Sequence, residues 1–375
     1  MTSGFWGLRP RDVIVGGAIL VAALAALSVL RLTILSPGPG ASATPLPSVT
    51  RGPLSTLPQP TPTPTASHPT YPLTGLPMSD ADVTQAKRSR PVAVMIDNND
   101  PFNPPIGLDR ADVVFEALVE GGITRFLAVY DSRQADTIEP IRSARTPFLA
   151  WVLEFDALYA HVGRAEAPGP ADSGQQIADL QIADLDMEGG PNPVPDAYQR
   201  DPTREAPHNA VTSTGALRAA GALRGYDRAP RMGEWRFSTS NTAESALPAA
   251  TTIDIDFGPI AASHPSWAWD EAAGVYGRSS DGVVQVDGAT HQPLTATNVV
   301  VMHARNYLAD SSGHVLIDNV GQGPAQVYIG GRVIDGTWRK PDNGSRTRFY
   351  DSAGNEIAFR PGNTWIEVEG LAPGS

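Results

Sequence analysis

Short apolar runs cut by polar turn residues recur from about residue 90 onward and predict buried strands. Arg90 to Asn99 is the first, delivering Asp97 and Asn98 to its end, and Val113 to Glu116, Ile123 to Tyr130 and Ala157 to His161 follow. Between them the spacing lengthens and predicts helices. These cover Thr146 to Phe155, with a Pro near its start, Gly174 to Met187, with a tandem Ile-Ala-Asp-Leu at 177 and 182, and the Ala- and Leu-rich Ser213 to Leu223. This mixture predicts an α+β or α/β N-terminal domain over residues 71–230.

After Arg231 the pattern changes to short runs rich in β-branched and aromatic residues, punctuated by Asp-Gly, Gly-Gly and Asn-Gly pairs. The runs are Ile253 to Phe257, Gly274 to Arg278, Val283 to Val286, Asn298 to His303, Val315 to Ile317, Ala325 to Ile329, Arg332 to Trp338, Thr347 to Tyr350 and Thr364 to Val368. They predict a mostly β C-terminal domain over 231–375, folded as a barrel or a strongly bent sheet.

The start of the chain is organised differently. Val13 to Leu30 carries no charge, and as a helix it would span about 27 Å, close to a bilayer's hydrocarbon core. It predicts a single transmembrane anchor over 13–35 behind a cytoplasmic tail, 1–12, in which Arg9 and Arg11 orient the N-terminus inward. Cleavage near Ala41-Ser-Ala43 is the alternative. Residues 36–70 hold ten prolines and twelve Ser or Thr, the composition of an extended disordered stalk. The expected location is therefore the cell membrane, single-pass, with the folded domains extracytoplasmic.

Charge narrows the partners. The 375-residue chain has a net charge of −12, and residues 71–375 hold 24 basic against 39 acidic side chains, about −15. Such a surface repels phosphate backbones, so no nucleic-acid partner is expected. Two lysines, Lys87 and Lys340, and no cysteine argue against Schiff-base, thiol and disulfide chemistry. Phosphate-loop, dinucleotide, zinc-protease and serine-hydrolase motifs are lacking, and Asp254 and Asp256 do not complete a calcium loop. No cofactor and no metal are expected.

The densest polar stretch runs from Glu116 to Arg145. Glu116 and Glu120 are spaced to share a face in either a helix or a strand, and Gly121-Gly122 permits a turn before Thr124 and Arg125. Arg142 and Arg145 flank Ser143, which suits a helix cap. Arginines facing carboxylates suit a carboxylate or phosphate ligand, and equally a structural ion-pair network. His208 and Asn209, in Arg204-Glu-Ala-Pro-His-Asn209, and His161 at a strand end are candidate polar partners. Trp235, Trp267, Trp269, Trp338 and Trp365 suit core anchors or a glycan-stacking platform.

Several motifs together carry a resemblance. Arg90-Pro-Val-Ala-Val-Met-Ile-Asp-Asn98, Gly107 to Glu116, Val119-Glu-Gly-Gly-Ile-Thr-Arg125, Ile141-Arg-Ser-Ala-Arg145, Arg204 to Asn209, Gly336-Thr-Trp-Arg-Lys340 and Thr364-Trp-Ile-Glu367 resemble the YerB-like lipoprotein family. The resemblance covers nearly all of 71–370 and implies an exported, envelope-tethered bacterial protein with two domains of unknown function. It brings no reaction. The chain departs from the family in lacking a cysteine for lipid attachment, and in His161-Val-Gly-Arg164, where a Gly-Gly-Ser type of turn is expected.

The reading that follows is a membrane-anchored binding or scaffold protein of unknown molecular function. Its expected ligand site for a carboxylate- or phosphate-bearing wall component comprises Asp97, Asn98, Glu116, Glu120, Thr124, Arg125, Arg142, Ser143, Arg145, His208 and Asn209. A cell-wall component or an envelope protein is the expected partner. The alternative is a wall-modifying hydrolase or transferase using Glu116 or Glu120 with His208.

Overall fold

The computed structural model describes residues 69–99, 104–167, 169–239 and 246–371. The expected tail, anchor and most of the stalk lie outside the described residues. Pro69 and Thr70, assigned by composition to the stalk, belong to the fold: Thr70 bridges Pro77, and the Pro69 carbonyl accepts from the Met78 amide at 2.9 Å. Among the described residues no helix is long and apolar enough to cross a membrane.

The N-terminal part comprises α1 (Asp80–Ala86), β1 (Val92–Asp97), β2 (Val113–Leu118), β3 (Thr124–Tyr130), α2 (Thr146–Glu154), β4 (Leu158–His161), α3 (Ser173–Asp179), β5 (Ala183–Asp186), β6 (Gln199–Arg200), β7 (Ala210–Val211) and α4 (Thr214–Leu223). The elements named in the C-terminal part are all strands. It comprises β8 (Thr252–Asp254), β9 (Pro265–Asp270), β10 (Val275–Ser280), β11 (Val283–Val284), β12 (Thr295–Ala296), β13 (Asn298–Ala304), β14 (Asn306–Leu308), β15 (Val315–Ile317), β16 (Gly321–Ile329), β17 (Arg332–Lys340), β18 (Arg348–Asp351) and β19 (Thr364–Gly370).

A mixed N-terminal part and a mostly β C-terminal part are thus both present, and they share a sheet. Ten strands run in the order β18-β17-β16-β13-β19-β2-β3-β1-β4-β5. The join is β19 parallel to β2, with Glu367 opposite Glu116. At the other end β1, β4 and β5 run parallel, with α2 and α3 leading into β4 and β5. The C-terminal part is therefore neither a closed barrel nor one bent sheet: β13 and β16 to β19 extend the large sheet, β8 to β12 form a second sheet in the order β11-β10-β9-β8 with β12 also on β10, and β14 pairs with β15.

Strand alternation assigns the two faces. Ala93, Met95, Phe115, Leu127 and Val129 face α2, whose Phe148 and Trp151, with Phe155 just after its end, are buried against them. Trp151 stacks on Phe115 with centroids 4.7 Å apart. Val94, Ile96, Val114, Phe126 and Trp365 face the other way, toward Leu217 of α4 and toward Ile253, Trp267 and Tyr276 of the second sheet. Trp235, Trp267, Trp338 and Trp365 are core residues, which withdraws them from a glycan platform; Trp269 alone is partly exposed.

Two helix expectations change. The helix expected over Gly174 to Met187 stops at Asp179, and its second half is strand β5. Gln181 at φ 53° reverses the chain between them. Helix α1, not expected, is held by a capping box between Ser79 and Asp82.

Candidate functional site

The segment from Pro140 to Ala144 threads a fork between the carboxyl ends of β1 and β4. On one side the Asp97 amide donates to the Pro140 carbonyl and the Arg142 amide to Met95, both at 3.0 Å. On the other, the Val162 amide donates to Arg142 and the Ala144 amide to Gly163, again at 3.0 Å. The backbone thereby fixes where Arg142, Ser143 and Arg145 emerge. In open α/β sheets, crevices at the carboxyl ends of parallel strands are the usual ligand positions.

A groove of about 610 Å³ opens there, lined by Arg142, Ser143, Val162, Gly163, Arg164, Glu188, Arg200, Ala206, Pro207 and Asn209. Three guanidinium groups and one carboxylate face it. Arg200 forks onto both Glu188 oxygens at 3.1 Å and donates to Asn209 Oδ1 at 3.0 Å, while Arg164 approaches Glu166 at 3.5 Å. At one end, Asp97 is buried at the tip of β1, and its Oδ2 accepts from His208 Nδ1 and lies 3.5 Å from Arg142 Nε. Asp97 Oδ1 has no hydrogen-bond partner. Arg142 also donates to the Pro207 carbonyl at 3.1 Å, so the loop carrying His208 is tied to the fork.

Arg125, opposite Asp97 in the β1–β3 ladder, is buried behind this end. It donates through Nη1 to the Ser143 carbonyl at 3.0 Å and its Nε finds no partner. Burial first, then Arg145 and Arg142, push its pKa down to about 10. Asp97 and Glu120 offset part of that effect. Arg145 is already paired, at 2.6 Å from Glu120, which His314 also approaches at 3.6 Å.

The expected cluster is therefore divided by the sheet. Glu116 lies on the opposite face from Arg125. It accepts from Asn98 Nδ2 at 2.9 Å and from Thr124 Oγ1 at 2.5 Å, and it pairs with Arg278. Arg278 also donates to Glu367 at 2.9 Å, and all three charged residues are fully buried. Trp365, Trp267 and Phe126 surround the guanidinium with centroids at 5.1, 5.4 and 5.7 Å. Burial, reinforced by Glu116 beside it, raises the Glu367 pKa well above the usual carboxylate range. Asn98, Glu116 and Thr124 thus belong to a closed core network, and the expectation that Glu116 and Glu120 share a face does not hold.

His161 is likewise consumed: fully buried, it bonds the Gly163 carbonyl and Asp184, each at 2.8 Å. Of the expected ligand residues, Arg142, Ser143 and Asn209 line the groove, Asp97 and His208 close one end, and Arg125 lies behind. Arg164, Glu188 and Arg200 were missed. Arg164 stands in the quoted His161-Val-Gly-Arg turn, and a polar residue just after a parallel strand was the available signal.

Comparison with known proteins places this arrangement. Residues 73–227 match the model described as the N-terminal domain of a protein of unknown function, DUF3048, and residues 253–366 match its C-terminal domain. The chain belongs to the DUF3048 family. It is 33% identical over 300 residues to the lipoprotein candidate YerB of Bacillus subtilis (strain 168), covering 79% of this chain and 85% of that one. A crystal structure of YerB from Bacillus subtilis matches with a TM-score of 0.67 at 30% identity, over 80% of this chain and 96% of that one. Every groove residue lies in the DUF3048 N-terminal domain, whereas the Glu116–Arg278 pair joins that domain to the C-terminal one.

Proposed function

We propose that this DUF3048 protein is a membrane-anchored extracytoplasmic binding protein whose groove takes a carboxylate- or phosphate-bearing component of the cell wall. The observation that carries the reading is the convergence of Arg142, Arg164 and Arg200 on one groove at the carboxyl ends of parallel strands, in a chain of net charge −12. Glu188 stands on Arg200 and Glu166 beside Arg164, so an anion would bind by competing for guanidinium donors rather than through a net positive field.

The anchor is argued from the charge-free Val13 to Leu30 and the Pro-rich stretch after it, with the YerB lipoprotein label as a parallel for tethering. With no cysteine in the chain, the helix would serve where a lipid serves a lipoprotein.

Sedimentation of the full chain with purified cell wall, against Arg142→Ala and Arg200→Ala, tests the reading. Wild type should co-sediment in a salt-sensitive manner, and each variant should lose about tenfold in affinity, the scale of one charged hydrogen bond. Equal retention of all three proteins, or no retention of wild type, would remove the wall-ligand reading.

A further inference from the structure

We propose that the groove hydrolyses phosphate esters, with Asp97 and His208 moving the proton; this rests on the anion-binding reading above. The geometry at the groove's end is that of a positioned base. Asp97 has a side chain 1% exposed, whereas the His208 side chain is 29% exposed. The Asp97 carboxylate accepts from His208 Nδ1, which places one ring proton on Nδ1, so that in the neutral ring Nε2 carries the lone pair. Nε2 makes no hydrogen bond to any described residue.

Arg142 stands beside the imidazole. Both groups converge on Asp97 Oδ2, and Arg142 donates to the carbonyl of Pro207, the residue before His208. A bound phosphoryl group held by Arg142 would therefore lie next to the base. The count of guanidinium groups favours phosphate over carboxylate: a single Arg fork satisfies a carboxylate, whereas a phosphate monoester presents three oxygens and up to two charges. Arg142, Arg164 and Arg200 surround one groove, and a phosphate there would compete with Glu188 for Arg200 and with Glu166 and the Gly189 carbonyl for Arg164.

In the step inferred, a water oxygen attacks phosphorus while His208 Nε2 takes the water proton. The bond from phosphorus to the ester oxygen breaks on the side opposite the entering water, the departing alkoxide takes a proton from solvent water, and Nε2 returns its proton to solvent. Alcohol and inorganic phosphate leave, and no oxidant or covalent enzyme intermediate is needed. The arginines offset charge on the non-bridging oxygens, and Asp97 stabilises the transient imidazolium. The plainer role for the same contact is to hold the 200–209 loop against β1, and the experiment separates the two.

The full chain is assayed with p-nitrophenyl phosphate, and inorganic phosphate binding is measured alongside by calorimetry. Turnover by wild type is expected, with a loss of about 100-fold or more in His208→Gln at unchanged phosphate affinity. Asp97→Asn should lower kcat and displace the pH profile of kcat/KM, which a loop-holding role would not do. Should His208→Gln fail to fold, carbethoxylation of His208 in wild type must abolish turnover, and inorganic phosphate must protect against it. Phosphate binding that Arg142→Ala weakens, without turnover, or with turnover undiminished in His208→Gln, would overturn the hydrolytic proposal and leave the anion site standing. Absence of phosphate binding to wild type would overturn the hydrolytic proposal, and the wall-ligand reading would stand or fall on the sedimentation result.

Discussion

Arg278 is the residue on which the core between the two sheets depends. It is fully buried, pairs with Glu116 and Glu367, and is boxed by three aromatic rings. Removing one partner of such a buried pair leaves a charge without compensation, so Arg278→Met should destabilise the fold by about 3–5 kcal/mol. Adding Glu116→Gln and Glu367→Gln should recover much of that loss, measured by chemical denaturation. Sequence proximity could not reveal this pairing, because Glu116 and Arg278 are 162 positions apart. What was legible was parity: Glu367 lies two positions after Trp365 and therefore faces the same side. A second residue-scale consequence concerns Asp131, whose pKa burial and the neighbouring Asp112 raise to about 7. A raised folded-state pKa means that the folded form holds the proton more tightly. That stability is complete below the unfolded pKa near 3.8 and is lost as pH rises through about 7. Asp131→Asn should therefore be more stable than wild type at pH 8, by at least ~1 kcal/mol, and indistinguishable from it at pH 3.5. Thermal unfolding at the two pH values reads the difference.

Between residues and the whole, the clearest lesson comes from the tandem Ile-Ala-Asp-Leu. Its first copy, residues 177–180, ends helix α3, whereas the second, 182–185, lies almost wholly in strand β5. Identical local propensity gives two structures because β5 finds a parallel partner in β4, a contact that no single segment encodes. The central strand runs were legible, since β1, β2, β3, β13 and β19 are buried nearly throughout and largely apolar, whereas β16 to β18 are polar and partly exposed. Strand β9 escaped notice because it opens on Pro265 and holds Ser and Ala among its tryptophans. The β2–β3 turn allows a direct test of element-scale strain. Gly121 and Gly122 have φ of 72° and 76°, but only at Gly122 would a Cβ meet a neighbour, 1.9 Å from the Ile260 carbonyl oxygen. Gly121→Ala should cost about 1 kcal/mol for the left-handed backbone alone. Gly122→Ala should cost at least ~2 kcal/mol, because the 260–262 loop must also move. Similar losses at the two positions in denaturation would contradict the close approach.

Across the whole molecule, the two regions distinguished by sequence texture are continuous through β2 and β19. Texture separated them because, among the described residues, the α-helices all precede the change and strands dominate after it. It could not show that both contribute to one sheet, since strand pairing over more than two hundred residues leaves no local mark. A chain ending at residue 230 would lack β19 beside β2 and Arg278 beside Glu116. It should therefore be protease-sensitive, whereas the full chain should unfold its folded region in a single transition. The groove depends on that frame only indirectly, because its residues all come from the N-terminal part. Its location followed from the Pro140 to Arg145 stretch, while its composition did not, since it required the fork between β1 and β4. The anion site is the central claim, and His208 is a reporter built into its edge. Nuclear magnetic resonance of the full chain's histidine ring signals during titration with inorganic phosphate tests it most directly. A saturable shift of the His208 resonances is expected, weakened about tenfold by Arg142→Ala, the scale of one charged hydrogen bond. His208 signals that stay fixed up to saturating phosphate in folded wild type would contradict it.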